Sequence, residues 1–242
     1  MQKELEVGAG SSPPQSATTR RNWLGMSFGA IAAGAWCSAT ANQVTAADAT
    51  RNPEPPDEAL AILREGNQRF IAGKSLSVHR DLERVKEVAP KQTPFAAFLG
   101  CADSRVPIEI VFDQGFGDLF VTRIAGNVAT SENIGSLEFG TLVLGAKVLY
   151  VLGHTNCGAV TATVQGTEVP GQISGLFQHI RPAVRAAKGN LAKSVEENVR
   201  LQASVLSESS PVLARLIREK KLIVAGGVYD LQTGIVSPVE LD

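Results

Sequence analysis

Four short stretches of this chain are apolar almost without interruption: "PFAAFLG", "DLFVTRIAG", "KVLYVLGH" and "LIVAGGVYD", ending at Gly100, Gly126, His154 and Asp230. A strand with one wet face alternates polar and apolar residues, whereas runs like these belong to strands covered on both faces, as in parallel sheets. Segments of helical length separate them, over 132–145, 158–165, 172–187, 191–207 and 211–220, and in the fourth Leu191, Val195 and Val199 repeat at helical spacing. The closing "GIVSPVE" follows a Gln-Thr-Gly turn and is expected to run antiparallel at a sheet edge, where Pro238 costs little. Ahead of the first run, Pro55-Pro56-Asp57-Glu58 and then Leu60, Leu63, Phe70 and Ile71 predict an amphipathic helical arm stopped at Gly73. The arm has no partner nearby in sequence, so it is expected to pack on a remote surface or on another subunit. The expected class is α/β: a mostly parallel central sheet of four parallel strands plus an antiparallel edge strand, flanked by helices, with an N-terminal helical arm.

The 242 residues, 44% of them hydrophobic, suffice for one such domain and some extra sequence. A net charge of -1 gives no basic excess to drive counterion release, so nucleic acid is not an expected partner. The extra sequence is at the start. "TTRRNWLGMSFGAIAAGAWCSATA" has two arginines, an apolar centre interrupted by glycine and a small-residue end at Ala39-Thr40-Ala41. It reads as an export signal over 1–41, of the twin-arginine type at Arg20 and Arg21, which makes the twin-arginine export machinery an expected partner. An ordinary secretory signal and an uncleaved anchor are the alternatives, although the apolar run is short for a bilayer. The expected destination is a periplasm, with a thylakoid lumen or a signal-anchored form as alternatives. Residues 42–54 are small, polar and proline-rich, as a linker is, and residues 55–242 form the expected folded domain.

Removal of the signal takes Cys37 with it and leaves Cys101 and Cys157. In an oxidising compartment two cysteines first suggest a disulfide. Their placement suggests something else. Cys101 follows the end of the first apolar run and His154 ends the third, and ligands of parallel sheets gather at the carboxyl ends of strands where the strand order reverses. His154 and Cys157 lie three apart in "GHTNCGAV", on a turn into a helix whose positive end favours a thiolate. Two thiolates and an imidazole suit zinc and suit magnesium or calcium poorly. His79 and His179 lie in polar or helical settings without ligand spacing, so no fourth strong ligand closes the set. Asp103 and Arg105 follow Cys101 at every second position. They could form a salt bridge that only braces the loop, or Arg105 could hold Asp103 off the metal and aim it at bound water, which leaves Asp103 a ligand only in a closed, inactive state. Neither a glycine-rich phosphate loop nor a proton-shuttling histidine is evident.

"CADSRVP" and "GHTNCGAV", together with "LFVTRIAGN", "SLEFGTLVLGAKVLYVLGH" and the arm "ALAILREGNQRFIAG", resemble the β-class carbonic anhydrases from about Pro55 to the C-terminus. The resemblance implies one zinc ion per subunit on Cys101, His154 and Cys157, an Asp103–Arg105 catalytic dyad, and reversible hydration of carbon dioxide to bicarbonate by zinc-bound hydroxide. It also implies a homodimer or dimer of dimers in which the N-terminal helix embraces a neighbour. Gln114, Phe120, Phe139 and the backbone N–H of Gly158 fall near the family's substrate pocket. Arg123 and Tyr229 match two residues of an inhibitory bicarbonate site found in some bacterial members, whose tryptophan is replaced here by Phe98. Hydrolysis of carbon disulfide or carbonyl sulfide on the same fold, and a non-catalytic redox or scaffold protein with a Cys101–Cys157 disulfide, are the rival readings.

Overall fold

The computed structural model describes residue 53 and residues 55–241; the expected signal over 1–41, with Arg20 and Arg21, lies outside the described residues. Its strands are β1 (Ala96–Gly100), β2 (Leu119–Arg123), β3 (Val148–His154), β4 (Ile223–Tyr229) and β5 (Val236–Val239). They form one sheet in the order β2-β1-β3-β4-β5, the first four parallel and β5 antiparallel along β4. Pro238 sits on that outer strand opposite Gly227. The four apolar runs therefore became the four parallel strands.

Two apolar layers cover the sheet. Ala96, Phe98, Tyr150 and Leu152 face one way, toward α1 (Pro56–Ile71) and the short α3 (Ile108–Val111). Ala97, Leu99, Leu149 and Val151 face the other, toward α4 (Ser131–Glu138), α7 (Leu191–Ser209) and α8 (Pro211–Arg218). Burial on both faces is what removed the polar alternation from the sequence. Helices α5 (Gly158–Gln165) and α6 (Ile173–Ala186) pack near the carboxyl end of the sheet. No helix among the described residues is long and apolar enough to cross a membrane.

The arm α1 lies on its own sheet. Ala59 and Leu63 are fully buried there, and Asn67 Nδ2 donates to the carbonyls of Val111 (3.1 Å) and Gly234 (2.9 Å) while its Oδ1 accepts from the Val236 N–H (3.0 Å). One side chain thus ties the arm to α3 and to the start of β5. The segment 132–145, expected as a single helix, is α4 followed by a π-helical turn over Phe139–Val143. Within that turn Thr141 Oγ1 donates back to the Leu137 carbonyl (2.8 Å), and Gly140 lies so close to Phe120 that a Cβ would stand 2.7 Å from its Cδ1. Helices α2 (Leu82–Val88) and α3 were not anticipated, because segments of 7 and 4 residues are too short to display a helical period.

Candidate metal centre

From β1 the chain places β2 on one side of it and β3 on the other, so the strand order reverses between β1 and β3. This is the crevice in which open α/β sheets bind ligands. The register pairs Gly100 with Leu152, so Cys101 and His154 leave the sheet side by side. Asn156, in the left-handed region at φ 54, turns the chain back after His154 and delivers Cys157 to the same place as the residue preceding α5. Ligand-type side chains far apart in sequence converge because the topology brings two strand ends together.

The Cys101, His154 and Cys157 donor atoms all lie within 4.8 Å of one another. Both cysteines are free and their sulfurs are 4.0 Å apart. That is about twice a disulfide bond length of 2.05 Å. It is close to the separation of about 3.8 Å for two sulfurs each 2.3 Å from a tetrahedral zinc ion. The disulfide expected for a redox or scaffold protein is not the state adopted. His154, fully buried, hydrogen-bonds through Nδ1 to the Thr155 carbonyl (3.0 Å), which fixes Nδ1–H as donor and leaves Nε2 with its lone pair. That Nε2 has no hydrogen-bond partner. A buried, unsatisfied nitrogen facing two buried thiols costs free energy unless something is bound there. The donor set and its geometry fit a borderline-soft cation.

Asp103 and Arg105 stand at the rim. The Asp103 carboxylate accepts from Arg105 three times, from Nε (2.9 Å), Nη2 (2.7 Å) and the backbone N–H (2.9 Å). Its Oδ2 is 3.8 Å from His154 Nε2, so the carboxylate faces the donor set while Arg105 holds it. Arg123, at the end of β2, donates to the backbone carbonyls of Cys101 (2.8 Å) and Asp103 and so braces the same loop. Phe98 is fully buried and stacked on Tyr150, with Tyr229 in the same layer. The residues matching an inhibitory bicarbonate site are thus engaged in packing and in loop bracing.

The proton inventory follows from these contacts. Cys101 is pushed down to about 4, chiefly by the hydrogen bond from Cys157 against the effect of burial, with His154 and then the Gly126 N–H adding to the lowering. Cys157 is pushed upward by the same hydrogen bond, by burial and by the charge on Cys101. The two sulfurs therefore share one proton, and a metal ion would replace it. Arg105 keeps Asp103 well below the usual carboxylate range, first through its side-chain hydrogen bonds.

Other expected residues are placed differently. Gly158 is the first residue of α5, and a Cβ added there would meet nothing within 4 Å, so space is open beside it. Gln114 is buried behind α1, where its Nε2 donates to the Phe112 carbonyl (2.9 Å) and lies 3.3 Å from where a Cβ on Gly66 would stand. Phe120 and Phe139 are neighbours, ring centroids 6.3 Å apart, on the outer side of β2. Phe120 pairs with Ala97, four residues before Cys101, so this pair lies along the sheet edge and not at its carboxyl end.

Comparison with known proteins agrees with this geometry. The family model for carbonic anhydrase matches residues 96–236, which include all three donor residues. The chain belongs to the carbonic anhydrase family. Carbonic anhydrase 2 of Mycobacterium tuberculosis is 35% identical over 187 residues, covering 74% of this chain and 90% of the relative. A Coccomyxa β-carbonic anhydrase solved in complex with acetazolamide superposes with a TM-score of 0.57 at 28% identity, over 74% of this chain and 84% of that one. One of the tetrameric β-carbonic anhydrases of Sordaria macrospora shares the fold, with a TM-score of 0.62 at 20% identity over 72% of this chain and 93% of that one.

Proposed function

We propose that this carbonic anhydrase hydrates carbon dioxide reversibly at a zinc ion held by Cys101, His154 and Cys157. The observation that carries the reading is the unpartnered, fully buried Nε2 of His154 facing two free thiols 4.0 Å apart. Zinc would supply a Lewis acid that makes water nucleophilic near neutral pH. The rest is the work of the chain. Arg105 keeps Asp103 ionised and turned toward the donor set, where a lone pair of Oδ2 can accept a hydrogen bond and orient the attacking water. Val128, Val160, Ile180 and Val195 form an apolar wall around the cysteines, suited to an uncharged linear substrate. The N-terminus of α5, with open space at Gly158, offers N–H groups and positive potential to the bicarbonate formed.

Purified protein is expected to carry one zinc ion per chain and to hydrate carbon dioxide; Cys101→Ser should lose both, and Asp103→Asn should keep zinc while losing about 100-fold in rate. Metal-free protein that still hydrates carbon dioxide would sink the assignment.

Assembly is part of the proposal. β2 is an edge strand, and beside it Phe139, Leu142 and Val143 are 46%, 44% and 63% exposed. An apolar patch next to an unpaired strand invites a second copy, giving the dimer or dimer of dimers, and such pairing would carry Phe120 and Phe139 toward the partner's crevice. Phe139→Asp should yield monomers by light scattering, and unchanged assembly would refute this use of the edge. Export through Arg20 and Arg21 completes the reading; the double change to lysine should leave the protein on the cytoplasmic side on cell fractionation, and normal export would count against the twin-arginine route.

A further inference from the structure

Behind the donor set lies a buried polar pair to which the proposed reaction gives no role. Asn198 and Gln202 stand one turn apart on α7, each 1% exposed, on the face that packs against the sheet. Buried amides are retained where every hydrogen bond is made, and here nearly every one is traceable. The Ala129 N–H can only donate, so it takes Gln202 Oε1 (2.8 Å). Gln202 Nε2 is then turned toward Asn198 Oδ1 (3.1 Å) and the His179 carbonyl on α6 (3.2 Å). Asn198 Nδ2 remains to donate to the Gly126 carbonyl (2.9 Å). The pair therefore grips the loop between β2 and α4 at two points, Gly126 and Ala129.

The far side of that grip touches the metal-binding group. The Gly126 N–H points at Cys101 Sγ, 3.4 Å away. Only glycine serves there: its φ is +76, and a Cβ would stand 2.7 Å from Ile180 Cδ1 and 3.2 Å from the Ala159 Cβ. Nor can α7 drift, since Val199, adjacent to Asn198, packs so closely on Gly153 that a Cβ there would be 2.8 Å from Val199 Cγ2, and Gly153 precedes His154.

We propose that Asn198 and Gln202 are positioning residues for the Cys101 sulfur: by clamping the loop they fix the Gly126 N–H on that sulfur and set how strongly it donates to the metal. The inference rests on the reading of Cys101, His154 and Cys157 as ligands. An N–H donor draws charge from a thiolate, so losing it leaves a more electron-rich sulfur and a less electrophilic ion.

The test uses the full-length protein with cobalt in place of zinc, comparing wild type, the near-isosteric Asn198→Asp, which cannot donate to the Gly126 carbonyl when ionised, and Leu206→Ala. Leu206 lies on the same helix in the apolar layer and serves as the control for a purely structural effect. Asn198→Asp should move the thiolate-to-cobalt absorption band to longer wavelength and shift the alkaline rise of kcat to higher pH, and the loss of the clamp on the loop beside Cys101, outweighing the stronger sulfur donor, should weaken zinc binding about tenfold in a chelator competition. Leu206→Ala should lower the unfolding temperature and leave band and affinity in place. If Asn198→Asp does not fold, Gln202→Ala carries the same expectation. An unmoved band and unchanged zinc affinity in the folded variant would overturn the proposal. A wild type without any thiolate band would instead mean that the ligand assignment itself is wrong.

Discussion

Two polar clusters among the described residues each set a histidine, arginine and aspartate together, and they behave in opposite ways. Around Asp113 and Asp118, the side chains of Arg69, Arg80, Arg84 and His79 and several backbone N–H groups converge. Asp113 accepts from Arg69 Nε (2.8 Å), Arg80 and the N–H groups of Leu76 (2.9 Å) and Ser77 (3.1 Å). His79 Nδ1 meets both oxygens of Asp118 (2.7 and 2.9 Å), with the Gly115 N–H on one of them. The carboxylates there are complete, and the group left without a partner is a donor, Arg69 Nη2. At the end of the sheet, by contrast, the histidine nitrogen has no partner and faces two free thiols. A histidine beside an acid is therefore no mark of function; an unmet histidine nitrogen facing two free, buried thiols is.

Substitutions that cross the two clusters can break this contrast. The largest effect is expected for His154→Ala, which should lose the metal and about 10³-fold or more of hydration activity while the fold survives, since both apolar layers of the sheet are left intact. Asp113→Ala should do the reverse. It strands Arg69 and Arg80 beside a fully buried gap, a loss of about 3–5 kcal/mol in urea unfolding, with hydration per bound metal nearly unchanged. An Asp113→Ala protein of normal stability that failed to bind metal would collapse the distinction. The smallest effect is the most diagnostic. Their mutual hydrogen bond pushes Cys101 down and Cys157 up, so the pair is expected to hold one proton between them near neutral pH until metal displaces it. Metal binding should release about one proton, so affinity rises with pH, about tenfold per unit, and falls as the medium is acidified. Calorimetry in buffers of different ionisation enthalpy counts that proton; a count of zero or two would show that the sulfurs do not share one.

The parts of this site that sequence reveals are those carried by local pattern. Apolar runs located the strands, and their ends located Cys101 and His154, because strand termini in a parallel sheet are where side chains escape the core. The spacing from His154 to Cys157 and from Cys101 to Arg105 is short enough to be read directly. What escaped detection is held together by contacts between distant segments. The clamp from Asn198 to Gly126 and the anchorage of His79 on Asp118 have no signature within either segment. Phe120 and Phe139 carry a different lesson: sequence position suggests a pocket, yet one chain sets them side by side along its edge strand, away from the donor set, and only the proposed pairing with a second copy would bring them to a crevice.

The complete burial of β3 has a further consequence. A strand that is apolar on both sides would lose little burial if it slipped by one residue, yet such a slip would turn His154 to the opposite face of the sheet. The choice must then be made by size. Tyr150 stacks on Phe98, its cross-strand partner, with ring centroids 5.2 Å apart, and Val199 seats itself against Gly153 of β3 and Gly226 of β4, where a Cβ would stand 2.8 and 2.7 Å from its methyl groups. Alignment of the chemically active end of the sheet is thus decided by an aromatic stack near its middle and by two missing methyl groups on neighbouring strands.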